Sequence, residues 1–443
     1  MKKKKILFGA AALPFFMAAW MVTTQNARPQ ADLLSPRLAV LAAQMEKGDE
    51  NAIPEFWREI DKKGAPLVEP ATENQDFYLV TFLYHGNTEI KNVVLFIDRG
   101  LWGDIASNQL HRLGTTNIWF KTFRFRKDAR FTYSLSVNDP LTPLQEISDA
   151  EVWIKRSSTW ITDPLNPKKF PFYPRPVSVV ELPGAPPQPW ITPKNGVPKG
   201  KVVSHKFKSN LLDNERTVWI YTPYRYNAEE INYGMLILFD GGSYISWIPT
   251  PTILDNLIAE HLIPPIIAVL VNHPNQLLRN QELSCSESFT QFLVEELVPW
   301  VRITYCVSEN PALTIIGGSS NGGLGAAFAA FRHPEIFGNV LSQSGAFMYS
   351  PHDENEPEWL ISKIKAAPLL PIHFHLDCGL MEISRAETGA PSILESNRHL
   401  RDVLLEKGYK VHYQEFYGGH EYINWRGQVA AGLLVLLGSR NQK

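Results

Sequence analysis

Cysteine is scarce: Cys285, Cys306 and Cys378 are the only three in 443 residues, too few for a disulfide framework. They leave room for one bridge, Cys285 with Cys306, against the alternative of three buried thiols. No Cys/His cluster has zinc-like spacing, so no structural metal is expected. An excess of charge of one sign is missing too. The 43 Lys and Arg against 45 Asp and Glu give a formal net charge of −2, without the basic footprint of a nucleic-acid binder. There is no internal repeat, and long apolar runs are missing with one exception, which excludes a chain that crosses a bilayer several times.

The exception is the start, "MKKKKILFGAAALPFFMAAWMVTTQNARPQ". Four lysines precede an apolar run from Ile6 to Val22, after which polarity returns. This is the layout of a secretory signal peptide, with cleavage expected near Ala27. The run is short for a membrane span and contains Pro14, and an uncleaved anchor is the alternative. Either way the bulk of the chain is expected outside the cytoplasm, periplasmic or otherwise exported, with the membrane touched only through an uncleaved signal.

What is present is globular: 44% apolar and 20% charged residues, at a length suited to two domains. Twelve Trp and 15 Tyr suit either a cleft for flat ligands or ordinary core packing. After the signal, "LSPRLAVLAAQMEKGDENAIPEFWREIDKKG" has helical spacing and predicts one or two short helices. From Asp76 to Val137 the pattern alternates in short runs between Gly, Asn and Asp turns, as in a small antiparallel β-sandwich. Trp102 and Trp119 are its candidates for exposed aromatics that could bind carbohydrate. The stretch from Asp163 to Lys201 is crowded with proline and glycine and reads as a semi-rigid linker. The division expected is signal 1–27, helical segment, β-sandwich and linker 28–193, and a second domain 194–443.

Beyond Lys194 a hairpin, "VVSHKFKSN" and "RTVWIYTPYRY", leads into continuous apolar runs: "MLILFD", "IIAVLVN", "LTIIGG", "IHFHLD" and "VHYQEF". Helical segments over 252–261, 287–301, 322–331 and 397–407 separate most of them. Apolar runs alternating with helices predict an α/β fold whose mostly parallel sheet is covered on both faces.

The third of these runs enters "GGSSNGG". Gly318-Ser319-Ser320-Asn321-Gly322 satisfies G-x-S-x-G between a strand and a helix, the nucleophile elbow of an α/β-hydrolase. The flanking glycines are expected because a Cβ would meet the neighbouring strand and helix. A serine hydroxyl needs a base. His420 follows the last strand and a Gly-Gly pair, and it alone among the histidines has this setting; His373 and His375 lie within a strand. The acid should follow "IHFHLD", which offers Asp377, Glu382 and Glu387. Glu382, just past the Gly379 turn, is favoured, and the other two stay open. Two N–H donors should hold the oxyanion: Asn321, after the nucleophile, and Gly242, in "LFDGGSYISW".

Together "LFDGG", "RNQELSC", "GGSSNGGLGAAFAAFRHPEIFGNVLSQSG", "LDCGLME" and "GGHEYINWRG", with "TDPLNP" and "ELPGAPPQPW" upstream, resemble the enterochelin (ferric enterobactin) esterases among the esterase D-like α/β-hydrolases. The resemblance covers nearly everything after the signal. It implies hydrolysis of the trilactone esters of catecholate siderophores, with Ser320 as nucleophile, His420 as base and Glu382 as acid. No cofactor is implied, and iron would arrive with the substrate. Arg279 and Trp425 fall at positions beside the pocket, where a cation and an aromatic face would suit anionic catecholates; an ion pair and a packed aromatic are their alternatives. Two departures bear on substrate. Ser-Ser-Asn stands at the elbow where the family has Gln-Ser-Phe, and two-domain members are typically cytoplasmic. An exported carboxylesterase acting on aryl, feruloyl or sugar esters is therefore the second reading, and a non-catalytic ligand-binding protein the third.

Overall fold

The computed structural model describes residues 35–97, 105–142, 155–172, 174–229, 233–351, 356–385 and 389–438. The expected signal, Trp102 and Glu387 lie outside the described residues.

Two helices open the described chain, Pro36–Glu46 and Ala52–Lys63. Ser35 caps the first, its hydroxyl accepting from the Leu38 amide at 3.0 Å with proline in the first turn. Leu38, Leu41, Phe56 and Ile60 are buried against Leu67, Leu83 and Ile118 of the sheet behind them.

Eight strands follow: β1 Leu67–Pro70, β2 Phe77–His85, β3 Val93–Ile97, β4 His111–Arg112, β5 Ile118–Arg126, β6 Arg130–Val137, β7 Lys169–Phe170 and β8 Val177–Glu181. They form two four-stranded antiparallel sheets, β1-β2-β5-β4 and β3-β6-β8-β7. Val80, Phe82 and Phe123 of one sheet meet Leu95, Phe131 and Leu135 of the other, so the alternation in sequence does encode a sandwich. Trp119 belongs to this core and offers no exposed sugar platform. The stretch read as linker is partly sheet, because β7 and β8 complete the second layer. Its prolines concealed this: they flank β7, a two-residue edge strand, while β8, "VSVVE", has none. Only 182–200 connects the domains. It is fastened rather than loose, since Asn256 Nδ2 donates to the carbonyls of Trp190 and Thr192 at 2.8 and 2.9 Å.

The second domain carries β9 Lys201–Ser209, β10 Asn214–Thr222, β11 Gly234–Phe239, β12 Ile266–Val271, β13 Thr314–Ser319, β14 Asn339–Gln343, β15 His373–Gly379 and β16 Lys410–Phe416. They form one sheet in the order β16-β15-β14-β13-β11-β12-β10-β9. The six strands from β11 to β16 are parallel, and the β9–β10 hairpin is antiparallel at one edge. Every residue of β11, β12, β13 and β14 is buried, as strands covered on both faces require. Helix Asn321–Arg332 and the helical run 287–305 cover one face; helices Thr250–Ala259 and Tyr422–Leu437 cover the other.

Two elements escape the sequence pattern. β14, "NVLSQ", is short and half polar, and helix Tyr422–Leu437 becomes apolar on all sides after Gln428, so no 3.6-residue period shows. All three cysteines are free, and the Cys285–Cys306 bridge does not form. The two residues stand at opposite ends of the helical run 287–305. At 1.5 Å per residue that run is about 28 Å long, far beyond disulfide reach.

Candidate active site

The topology brings the singled-out residues to one place. Gly242 follows β11, Ser320 follows β13, Glu382 follows β15 and His420 follows β16. All four sit beyond the carboxyl ends of parallel strands, where open α/β sheets present their ligand crevice.

Ser320 has φ +59° and ψ −124°, a region costly for a residue with a side chain, and it begins helix Asn321–Arg332. Its backbone is pinned on both sides: its N–H donates to the Gln343 carbonyl at 2.9 Å, and its carbonyl accepts from Gly323 and Ala346, each at 3.0 Å. The flanking glycines differ in necessity. A Cβ on Gly318 would lie 2.9 Å from the Gly322 backbone, whereas one on Gly322 would find only ordinary contact with Phe239 at 3.7 Å. The steric argument therefore holds for Gly318 and fails for Gly322.

His420 Nδ1 lies 2.7 Å from Glu382 Oε2. The other carboxylate oxygen, Oε1, accepts from the Gly379 amide at 2.8 Å and the Ser344 hydroxyl at 2.6 Å. Ser344 Oγ in turn accepts from Trp425 Nε1 at 3.0 Å. Glu382 is thus buried, oriented and aimed at the imidazole. Asp377, the alternative, sits within β15 at 0% exposure. Burial, with the nearby Glu382 charge adding, pushes its carboxyl well above the usual carboxylate range. Its neighbour His375 is pushed down to about 3 by burial and by the charges of His412 and His373. Both are neutral core groups, while Glu387 lies outside the described residues. His420 remains 32% exposed by side chain, and its ring meets Trp425 edge-on at 4.8 Å.

A cavity of about 500 Å³ opens above these groups, with Ser320, His420, Trp425 and Arg279 in its wall. Arg279 is paired bidentately with Asp240 at 2.5 and 2.6 Å, side chains 18% and 9% exposed. The ion-pair reading therefore prevails over that of a free cation awaiting an anionic substrate. Asp240 has φ +56° and precedes Gly241-Gly242, so its pair with Arg279 fixes the loop that carries Gly242, the expected second oxyanion donor. Glycine is demanded at 241, where a Cβ would lie 2.6 Å from the Leu270 backbone, and not at 242, whose nearest contact would be 3.7 Å away. Neither the Gly242 nor the Asn321 amide donates to a backbone carbonyl among the described residues. Both adjoin residues of the cavity wall.

Sequence reasoning missed several contributors. Ser344 directly follows the unrecognised β14. Glu282, in "RNQEL", bridges Arg216 at 2.7 and 3.0 Å and His273 Nδ1 at 2.5 Å beneath the wall. Phe172 comes from the sandwich domain, packs on Trp247 at 4.5 Å and lines the cavity. Its proline-rich surroundings gave no sign of this.

The profile of the family described as "Enterochelin esterase, N-terminal" matches residues 79–191, and that described as "Putative esterase" matches 209–436. The iron(III) enterobactin esterase of Escherichia coli K12 is 30% identical over 387 residues, spanning 82% of this chain and 92% of its own. This chain belongs to the enterochelin esterase family. It is a carboxylic ester hydrolase with the family's two-part build. The iron(III) salmochelin esterase of E. coli O6:H1 is 25% identical over 90% of this chain and 98% of its own. Among solved structures, the enterobactin esterase of Shigella flexneri in the presence of enterobactin superposes with a TM-score of 0.68 at 27% identity. That match covers 86% of this chain and 97% of that one. The ferric enterobactin esterase of Salmonella typhimurium superposes with a TM-score of 0.71 at 26% identity, covering 86% and 98%.

Proposed function

We propose that this enterochelin esterase family member hydrolyses the trilactone esters of catecholate siderophores such as enterobactin, releasing their iron, through a Ser320–His420–Glu382 triad. The observation that carries this reading is the Glu382–His420 contact at the cavity that holds Ser320, in a chain that aligns over 82% of its length with an iron(III) enterobactin esterase. Ser320 Oγ attacks the ester carbonyl carbon as His420 takes its proton. The amides of Asn321 and Gly242 hold the oxyanion. His420 then protonates the departing serine alcohol of the trilactone. Water, deprotonated by the same imidazole, opens the acyl-enzyme and regenerates Ser320. Glu382 keeps the imidazole oriented and supports its positive charge.

The aromatic wall supports a flat acyl group: Phe172, Trp247, Tyr422 and Trp425 follow one another with ring centroids 4.5, 4.8 and 5.1 Å apart. Purified protein is expected to convert ferric and iron-free enterobactin into linear and monomeric dihydroxybenzoylserine, read by chromatography, faster than short p-nitrophenyl or feruloyl esters. Turnover confined to the simple esters would keep the triad and hand the substrate to the aryl-ester reading.

The site is read as working outside the cytoplasm. The basic start and the apolar run from Ile6 to Val22 support export, and no helix among the described residues is long and apolar enough to cross a membrane. Expressed in a Gram-negative host, the full chain is expected in the periplasmic fraction, its intact mass shortened to a start near residue 28. Full-length protein in the cytoplasm would end the export reading.

A further inference from the structure

The open end of the N-terminal sandwich lies against the loops that carry both Glu382 and His420. β6 is longer than its partner: β8 pairs with residues 130–133, whereas β3 pairs with 133–137. The edge of β6 at 130–132 is taken by the other domain instead. Arg130 N–H donates to the Tyr417 carbonyl at 3.0 Å. Asn424 Nδ2 donates to the Arg130 carbonyl at 3.1 Å. Thr132 N–H donates to the two carboxylate oxygens of Glu421 at 2.9 and 3.1 Å, and the Thr132 hydroxyl donates to the same group. Glu421 is the residue after His420, and it is 3% exposed.

The approach is close enough that a Cβ on Gly418 would lie 2.6 Å from the Arg130 carbonyl oxygen. On the acid side, Met381, the residue before Glu382, packs into the sandwich core, and Tyr417 packs against the same core. The Met381 amide donates to the Gly418 carbonyl at 3.0 Å, tying the two loops together. Burying a carboxylate is costly unless hydrogen bonds compensate it, so Glu421 without Thr132 would be drawn towards water and would carry His420 with it.

We propose that the N-terminal sandwich positions the catalytic base, with Thr132 and Glu421 as positioning residues that hold the His420 loop against β6. This rests on the serine-esterase reading and extends it, since it assigns the accessory domain a part in the chemical step. The domain matters to kcat, through the imidazole, and not only to substrate capture.

The test uses the full chain with p-nitrophenyl butyrate and a fluorophosphonate that labels the active serine. Both require the serine machinery and neither requires a siderophore. Labelling amplitude counts folded sites, and labelling rate reports how well the base is placed. Thr132→Val is expected to lower kcat per labelled site roughly ten-fold, as loss of one hydrogen bond to a charged group would, with KM nearly unchanged. The labelling rate should fall in parallel. Thr132→Ser, which keeps the hydroxyl, should return both to the native level. Glu421→Ala is expected to lower kcat per site about 100-fold. If Glu421→Ala does not fold, the two threonine variants decide. Native protein that labels normally, with unchanged per-site rates in Thr132→Val or an equal loss in Thr132→Ser, would overturn the positioning role alone. Native protein that fails to label would overturn the serine-esterase reading and this inference together.

Discussion

Replacing Ser320 with alanine is expected to lower kcat for ester hydrolysis by on the order of a million-fold, as triad serines do elsewhere. The size follows from what is lost. Without Oγ there is no acyl-enzyme, and His420 has no hydroxyl to deprotonate. Water attack within an intact oxyanion hole would still leave roughly a thousand-fold catalysis over solution. The fold should not suffer. Alanine keeps the Cβ that already tolerates φ +59°, and the pinning of this turn is by backbone: the Gln343 carbonyl on one side, the Gly323 and Ala346 amides on the other. The check is kcat on enterobactin and on p-nitrophenyl butyrate, with circular dichroism and thermal melting alongside. Retained turnover in a folded variant would remove the serine-esterase assignment.

The second large effect concerns the acid, and it separates two carboxyl groups near each other in the chain. Glu382→Gln is expected to lower kcat about ten-thousand-fold at pH 7, because an amide neither fixes the imidazole tautomer nor supports its charge. It also disturbs the donors converging on Oε1 from Gly379 and Ser344. Asp377→Asn should change kcat by no more than about three-fold, as an isosteric change outside the reaction does. The contrast rests on environment. Asp377 is fully buried and held neutral by burial, so an amide replaces it like for like in charge. Glu382 instead faces His420 Nδ1 at 2.7 Å. Single-turnover rates for both variants, measured beside the native protein, test the pair. Equal losses, or a larger loss at Asp377, would move the acid role.

The elbow turn and the loop that carries His420 were legible because each depends on local chain geometry. Gly318 and Ser320 announce a tight strand-to-helix turn, and Gly418-Gly419 announce a loop that folds back before His420. The choice between a free cation and an ion pair at Arg279 stayed open because its partner, Asp240, is 39 residues away in sequence and no local signal predicts that pairing. The linker concealed β7 and β8 because the surrounding prolines mask both the two-residue edge strand and the five-residue strand it pairs with. β14 was missed because a five-residue strand with two polar ends carries no period, although it separates the nucleophile's strand from the acid's and leads into Ser344.

By itself, then, the sequence determined what short-range stereochemistry and patterning can encode. It gave a basic and then apolar start, a β-sandwich ahead of a parallel α/β sheet, and a serine, a histidine and a carboxylate in hydrolase order. Tertiary structure decided which carboxylate faces the imidazole, which cation is already paired, and that the sandwich supplies Phe172 to the cavity and Thr132 to the loop of the base. The reason is physical. Strand order, burial and hydrogen bonds between residues hundreds of positions apart arise only when the whole sheet and both domains have packed, and no local window of the chain contains them.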